Sequence, residues 1–274
     1  MKQRLLLALL MLLTSAGFLK AEITITVPKG ATPTITVSDI TTGQEPVLTI
    51  NGSEVHKFTT SALSYQVKAD AEKDQTLVIS NNPHKGLTIT GKISNLELNS
   101  YASLETVKAS GVELTSFTLT AAPGLTSLDL SDNNLTSINV SAATNLATLD
   151  VSDNEIASLG ARLPTTLKTL DISNNVYSGT YTLDLSYLKD LTSLNIGGNR
   201  LLSVKKVDKC VVDPGVQDFT HLQEYKPNGN YIKANENLNI GEMAVTRNLV
   251  TVANDITSAT EWKKLKEGTE DTYE

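Results

Sequence analysis

Apolar residues recur along the middle of this chain at a fixed beat. The pattern L-x-x-L-x-L, with other apolar residues standing in for leucine, begins at Leu104 (Leu104, Val107, Ala109), Leu125 (Leu125, Leu128, Leu130) and Leu146 (Leu146, Leu149, Val151). It returns at Leu167 (Leu167, Leu170, Ile172) and Leu191 (Leu191, Leu194, Ile196), so the steps are 21, 21, 21 and 24 residues. A fixed step of this size signals a solenoid, because one coil cannot hide its leucines alone and stacked coils bury them in a continuous column. A fainter series runs between the copies: Ile93-Leu96-Leu98, Leu114-Phe117-Leu119, Leu135-Ile138-Val140, Ile156-Leu159-Ala161 and Thr180-Leu183-Leu185. Up to Leu167 the combined starts alternate steps of 11 and 10, so each coil is expected to turn twice with one short strand per turn. Within L-x-L the period of two sends both apolar residues inward and the middle residue outward. Two strands in 21 residues leave little room for a helix.

An asparagine stands at the ninth position of four coils: Asn133, Asn154, Asn175 and Asn199. Its side chain carries both a donor and an acceptor, and at a tight turn it can satisfy backbone groups that the bend leaves unpaired. The column is therefore read as structural. It is absent from the fainter series, which has Ala122, Ala143, Pro164 and Leu188 at the matching positions, and the first coil has Val112.

The stretches LTSLDLSDNNLTSI and LATLDVSDNEIASL resemble the L-x-x-L-x-L-x-x-N-x-L signature of leucine-rich repeats. Their short coil and wording look like exported bacterial members, including surface proteins of Gram-negative gut bacteria, and more distantly the internalins. The resemblance covers roughly residues 87–204. It implies a mainly β, leucine-rich-repeat solenoid of about five coils with two short strands per coil. It does not imply a ligand, because such repeats bind unrelated partners.

The flanks read differently. Lys2 and Arg4, the apolar run Leu5 to Leu13 and a small residue at Ala21 form the pattern of a secretory signal peptide over residues 1–21. The run is shorter than the roughly 20 residues needed to cross a bilayer. Residues 22–86 alternate apolar residues with Thr, Pro and Gly (ITITVP, PTITV, VLTING), with further strand signals at Tyr65 to Ala69 and Leu77 to Ile79. This segment is expected to be a β-rich cap over the open end of the solenoid, the alternative being an independent adhesion module. Residues 87–204 form the solenoid and residues 205–274 a mixed C-terminal cap, with a separate binding module as its alternative. The cap has turns at Asp213-Pro214-Gly215 and Pro227 to Asn230, a strand at Leu249 to Val252, and one short helix. That helix opens on a capping box from Ser258 to Glu261, puts Trp262 and Leu265 on one face and stops at Gly268.

Charge and composition narrow the function. The chain has 23 Lys+Arg against 30 Asp+Glu, a net charge of −7, and loss of Lys2, Arg4 and Lys20 with the leader would leave 20 against 30. That balance argues against nucleic acid or an anionic membrane as partner. Aromatic content of 5% offers no stacking platform. The single cysteine, Cys210, does not follow the leader, so neither a lipid anchor nor an internal disulfide is expected. The expected location is the outside of the cell or its surface, with the periplasm as alternative.

Catalytic signatures are missing. His56, His84 and His221 show no ligand spacing, and His84 in the turn NNPHKG reads as a solvated side chain. No G-x-S-x-G, H-E-x-x-H or P-loop occurs. The reading is a non-enzyme with no metal and no cofactor.

The informative surface is the outward face of the main strands. Its fifth position carries Lys108, Asp129, Asp150, Asp171 and Asn195, flanked by Ser127, Thr148, Thr169 and Ser193 at the third, and these nine residues are the candidate contacts. A second row, Asp132, Asp153 and Asn174, runs at the eighth position, while the fainter series shows no comparable column (Glu97, Thr118, Asn139, Gly160, Asp184). Carboxylates stacked at a strand spacing of about 4.8 Å repel by roughly 1 kcal/mol per pair. Splaying into water or hydrogen bonds to neighbouring Ser and Thr would offset this, as would a basic protein partner. Ca²⁺ would need six to eight oxygens and has no DxDxDG loop here. The sequence thus points to non-catalytic recognition of another protein through the strand face. One alternative is a self-associating structural component of the cell envelope. The other is a glycan-binding module using Tyr101, Tyr177, Tyr181 and Tyr187.

Overall fold

The computed structural model describes residues 22–80, 84–177, 182–185, 187–199, 203–205 and 211–213. The expected leader, Cys210, His221, Tyr181, the expected strand at 249–252 and the expected helix at 258–268 lie outside the described residues. What is described is mainly β, with seventeen strands and no helix, and it falls into two compact units, residues 1–168 and 169–274.

In the first unit, β1 (Glu22–Val27), β2 (Thr34–Ser38), β3 (Val47–Ile50), β4 (Ser53–Lys57), β5 (Ser64–Gln66) and β6 (Gln75–Ser80) come from the N-terminal segment. β7 (Gly86–Thr90), β8 (Asn95–Asn99), β9 (Thr106–Lys108), β10 (Ser116–Leu119), β11 (Ser127–Asp129) and β12 (Thr148–Asp150) come from the coils. In β1 and β2 every second residue is buried, which gives two facing apolar surfaces. Ile23, Ile25, Ile35, Val37, Leu48, Phe58, Val67, Leu77 and Ile79 are all at most 1% exposed.

The N-terminal strands continue both sides of the coil stack. On one side β1 pairs antiparallel with β6 and with β8, aligning Ile25 with Leu96 and Ile23 with Leu98. On the other, β2 pairs antiparallel with β7, and β7 pairs parallel with β9, aligning Leu87 with Val107. β7 is thus where antiparallel pairing gives way to the parallel ladder β9–β11–β12. The sheet ends away from the coils are β4, which bulges at Val55 opposite Leu48/Thr49 and exposes Glu54 and Lys57, and β5, which is three residues long. Short, charged or bulged edges discourage pairing with other chains.

The coil leucines do what their spacing requires. Leu104, Leu125, Leu128, Leu130, Leu146, Leu149 and Val151 are all 0% exposed. The fainter series keeps Leu135, Ile138 and Val140 at most 4% exposed, while Phe117 and Leu119 are half-buried; in this unit β8 and β10 pair as strands there, and residues 137–140 have no ladder.

One coil begins earlier than leucine spacing suggests. His84, Leu87 and Ile89 occupy the L-x-x-L-x-L positions 20 residues before Leu104, and β7 is its strand. His84 is fully buried, which corrects its reading as a solvated turn residue. Its ring lies 5.0 Å from that of Tyr101, whose hydroxyl is 2.9 Å from His84 Nδ1.

In the second unit, β13 (Thr169–Asp171), β14 (Thr182–Asp184), β15 (Ser193–Asn195), β16 (Ser203–Lys205) and β17 (Val211–Asp213) form two parallel ladders: β13–β15–β17 and β14–β16. Leu170, Ile172, Leu183, Leu185, Leu191, Leu194 and Ile196 are buried.

Candidate recognition face

The turns that follow β11, β12, β13 and β15 each carry an asparagine at the ninth position of the coil. Asn133 Oδ1 accepts the N–H groups of Val112 (3.2 Å) and Leu114 (2.8 Å) from the preceding coil. Its Nδ2 donates to the carbonyls of Ala109 (2.7 Å), Leu130 (3.0 Å) and Ser131 (3.0 Å). Asn154 repeats the arrangement one coil on: Oδ1 accepts Leu135 N–H at 2.9 Å, and Nδ2 reaches the carbonyls of Leu130, Val151 and Ser152 at 2.9–3.2 Å. In the second unit, Asn199 Oδ1 accepts Asn175 N–H at 3.2 Å and its Nδ2 donates to Ile172 and Ile196. Asn175 Nδ2 donates to Ile172 and Ser173. All four are at most 7% exposed. A buried amide using both ends is the economical way to satisfy carbonyls and N–H groups that a sharp turn withdraws from the ladder.

The eighth position has a backbone reason. Gly91, Gly111, Asp132, Asp153, Asn174 and Gly198 all have positive φ, between 51° and 79°. This left-handed conformation suits Gly, Asn and Asp and penalises other residues by about 1–2 kcal/mol. Asp132, Asp153 and Asn174 are therefore turn residues by conformation, and the acidity of that row needs no ligand to explain it. A Cβ on Gly198 would run into Asn174 Oδ1, which leaves glycine as the residue that fits.

The fifth-position side chains sit on this frame. In the first unit Lys108, Asp129 and Asp150 align across β9, β11 and β12, with Ser127 opposite Thr148. Both aspartates are half-buried and their strand-middle leucines fully buried. Asp129 Oδ1 accepts both Ser131 N–H (3.1 Å) and Ser131 Oγ–H (2.7 Å). Asp150 takes the same pair from Ser152 at 3.0 and 2.7 Å. Ser131 Oγ also lies 2.9 Å from Ser110 Oγ. The hydroxyls that compensate the carboxylates are thus those two residues downstream, not Ser127 and Thr148 beside them. One oxygen of each carboxylate is consumed in holding the side chain's direction.

In the second unit Asp171 aligns with Asn195 and Thr169 with Ser193. Asp171 Oδ1 accepts Ser173 N–H and Oγ–H at 2.9 and 2.6 Å, and Asp171 Oδ2 accepts Asn195 Nδ2–H at 2.8 Å. Asn195 Oδ1 accepts Gly197 N–H at 3.1 Å, as the aspartates do with serine. Asp213 of β17 stands opposite Asn195 and extends the register, a continuation hidden in the sequence by the lack of any leucine around it. The nine candidate residues therefore divide into Lys108, Ser127, Asp129, Thr148 and Asp150 on one unit and Thr169, Asp171, Ser193 and Asn195 on the other.

The tyrosines proposed for a glycan platform are not available as a set. Tyr101 and Tyr177 are at most 2% exposed, because they pack into the core. Tyr187 is partly exposed. Among the described residues no group of three or more His, Cys, Asp or Glu is placed to hold a metal ion, and no helix is long and apolar enough to cross a membrane.

Comparison with known proteins agrees with this geometry. A search of curated proteins finds no match. Residues 124–146 match one Leucine Rich Repeat family and residues 142–163 a second of the same description. The matched stretch is where leucine columns, asparagine turns and left-handed eighth positions are all present together, and there the coils are leucine-rich repeats.

Proposed function

We propose that this is an exported, non-catalytic recognition protein that binds another protein, with basic character at the contact, through the outward face of its main strands. Leucine-rich repeats suggest protein–protein recognition and are typically non-enzymatic. The observation that carries the reading is the pair Asp129 and Asp150: each carboxylate is locked in direction by the N–H and hydroxyl of the serine two residues on, in register on adjacent parallel strands. Pre-set side chains on a rigid ladder avoid the ordering cost that mobile ones would add, about 0.5–1.5 kcal/mol per side chain. An acidic chain would attract a basic partner and speed encounter. Self-association through the N-terminal sheet edges is disfavoured by the bulge in β4, its Glu54 and Lys57, and the shortness of β5.

A photo-crosslinking residue placed at position 129, compared with one at position 118 on the fainter series, tests this in cells of the native host. Crosslinks to a discrete protein from 129 but not 118, weakened by salt and by Asp150→Lys, are expected. Equal labelling from both positions, or labelling indifferent to salt, would remove the strand face from consideration.

A further inference from the structure

The outward row of the first unit runs on past the coils, and its chemistry changes along the way. Register places Ser64, Thr36, Thr88, Lys108, Asp129 and Asp150 opposite one another across β5, β2, β7, β9, β11 and β12. Three hydroxyls come first, then one cation, then two carboxylates. Thr36 Oγ1 lies 2.8 Å from Ser64 Oγ, so part of the hydroxyl stretch is satisfied within the sheet. Lys108 differs. It is exposed and makes no hydrogen bond or ion pair among the described residues, whereas Lys57, Lys85 and Lys92 each reach a glutamate, at 3.3, 2.8 and 2.6 Å. Opposite charges directly across neighbouring strands ordinarily attract. Lys108 and Asp129 are so placed, yet Asp129 Oδ1 is committed to Ser131 N–H and Oγ–H, and the two charges do not pair. Asp129 Oδ2 also has no partner among the described residues.

On the reading that the main strands form the contact surface, on which this rests, we infer that Lys108 selects the partner: the face takes a protein segment that sets a carboxylate beside basic groups, and turns away one that is basic throughout. The carboxylate meets the Lys108 ammonium, and the basic groups meet the aspartate end of the row, beginning at Asp129 Oδ2. A uniformly basic segment gains at the aspartates but brings a like charge over Lys108, one strand spacing of about 4.8 Å away. Repulsion then discriminates as much as attraction does. The coil itself has no need of a lysine here. Ser110 stands two residues after Lys108, as Ser131 and Ser152 stand after Asp129 and Asp150, and Ser131 Oγ lies 2.9 Å from Ser110 Oγ. An aspartate at 108 would find the same serine turn that its neighbours use, so the cation is a property of the surface and not of the frame.

Two labelled peptides serve as probes. One alternates threonine with lysine, since an extended chain turns every second side chain to one face. The other has glutamate in place of the first lysine. Fluorescence anisotropy with the full chain at near-physiological salt gives the ratio of their affinities for the natural protein, Lys108→Asp, Asp129→Lys and Lys73→Asp. The last changes net charge as Lys108→Asp does, but at an exposed bend outside the coils. The relative preference for the glutamate peptide should fall by about fivefold in Lys108→Asp, the scale of one exposed ion pair. It should fall by less than about twofold in Lys73→Asp, whose charge is screened from the row. Asp129→Lys should weaken both peptides. If it does while Lys108→Asp leaves the ratio where Lys73→Asp leaves it, selection by Lys108 is overturned and the strand face stands. Peptides that do not bind the natural protein, or bind it equally whatever stands at 129, overturn the strand face and Lys108 together.

Discussion

Each coil of the first unit bends twice, and the two bends are closed by different chemistry. After a main strand the bend is sealed by a buried side chain, with Asn133 or Asn154 spanning carbonyls and N–H groups of two successive coils. After the fainter strand, in the coils that begin at Leu104 and Leu125, the backbone seals itself: Leu125 N–H donates to Ala122, Ala143 N–H to Val140 and Leu146 N–H to Ala143 at 2.9–3.1 Å, and the residue inside is Ala122 or Ala143. A bend of three residues returns its own hydrogen bonds and needs only a small apolar residue. The sharper bend, in which ladder bonds run on through Leu130, Asp132 and Asn133 to the next coil, leaves carbonyls pointing inward and needs an amide.

That contrast can be broken most forcefully at Asn154. Asn154→Asp keeps an acceptor for Leu135 N–H but removes the donors to Leu130, Val151 and Ser152 and points a buried carboxylate at three carbonyls. A loss of about 3–5 kcal/mol in urea unfolding is expected. A loss below about 1 kcal/mol would mean that the amide is not the seal. At the other bend, Ala143→Leu should cost about 1–3 kcal/mol through crowding alone, with no change in the pH dependence of folding. The eighth position should respond to backbone conformation and not to charge: Asp153→Val should cost about 1–2 kcal/mol and Asp153→Gly within about 0.5, measured by thermal unfolding. If both variants fall alike, the row's acidity matters after all. The smallest effect belongs to an exposed bend outside the coils. Asp70 accepts the N–H groups of Glu72 and Lys73, and the Glu72 bond above all holds its carboxyl below the ordinary value. The bend should therefore persist through neutral pH and down past the usual carboxylate range. Faster amide exchange at Glu72 and Lys73 should appear only in stronger acid, relative to Asp70→Ala.

The leucine column was readable because burial imposes a period, and any chain that repeats Leu-x-x-Leu-x-Leu every 21 residues has few other ways to hide it. The ninth-position asparagine was readable from the same alignment. Two features were in the letters but carried a different meaning. Gly111, Asp132, Asp153, Asn174 and Gly198 look like a broken acidic row, yet glycine, aspartate and asparagine together are the set that tolerates positive φ, and conformation explains all five at once. The earliest coil escaped notice because His84 stands in for leucine and the step to Leu104 is 20 rather than 21. The missing ladder at residues 137–140 had no sequence signal, since Leu135, Ile138 and Val140 keep the spacing of a strand. The direction of the carboxylates was also beyond reach: only coordinates show that Ser131 and Ser152, and not their strand neighbours, fix it.

The asparagine seal carries a consequence for how such a chain can grow. The side-chain amides of Asn133 and Asn154 bond to their own coil and to the one before it. A duplicated 21-residue stretch would arrive with its own closure and offer the next coil the same partners its parent did. The number of windings is then a free variable for inheritance, changed by copying a segment of gene, with no compensating substitution required in the neighbours.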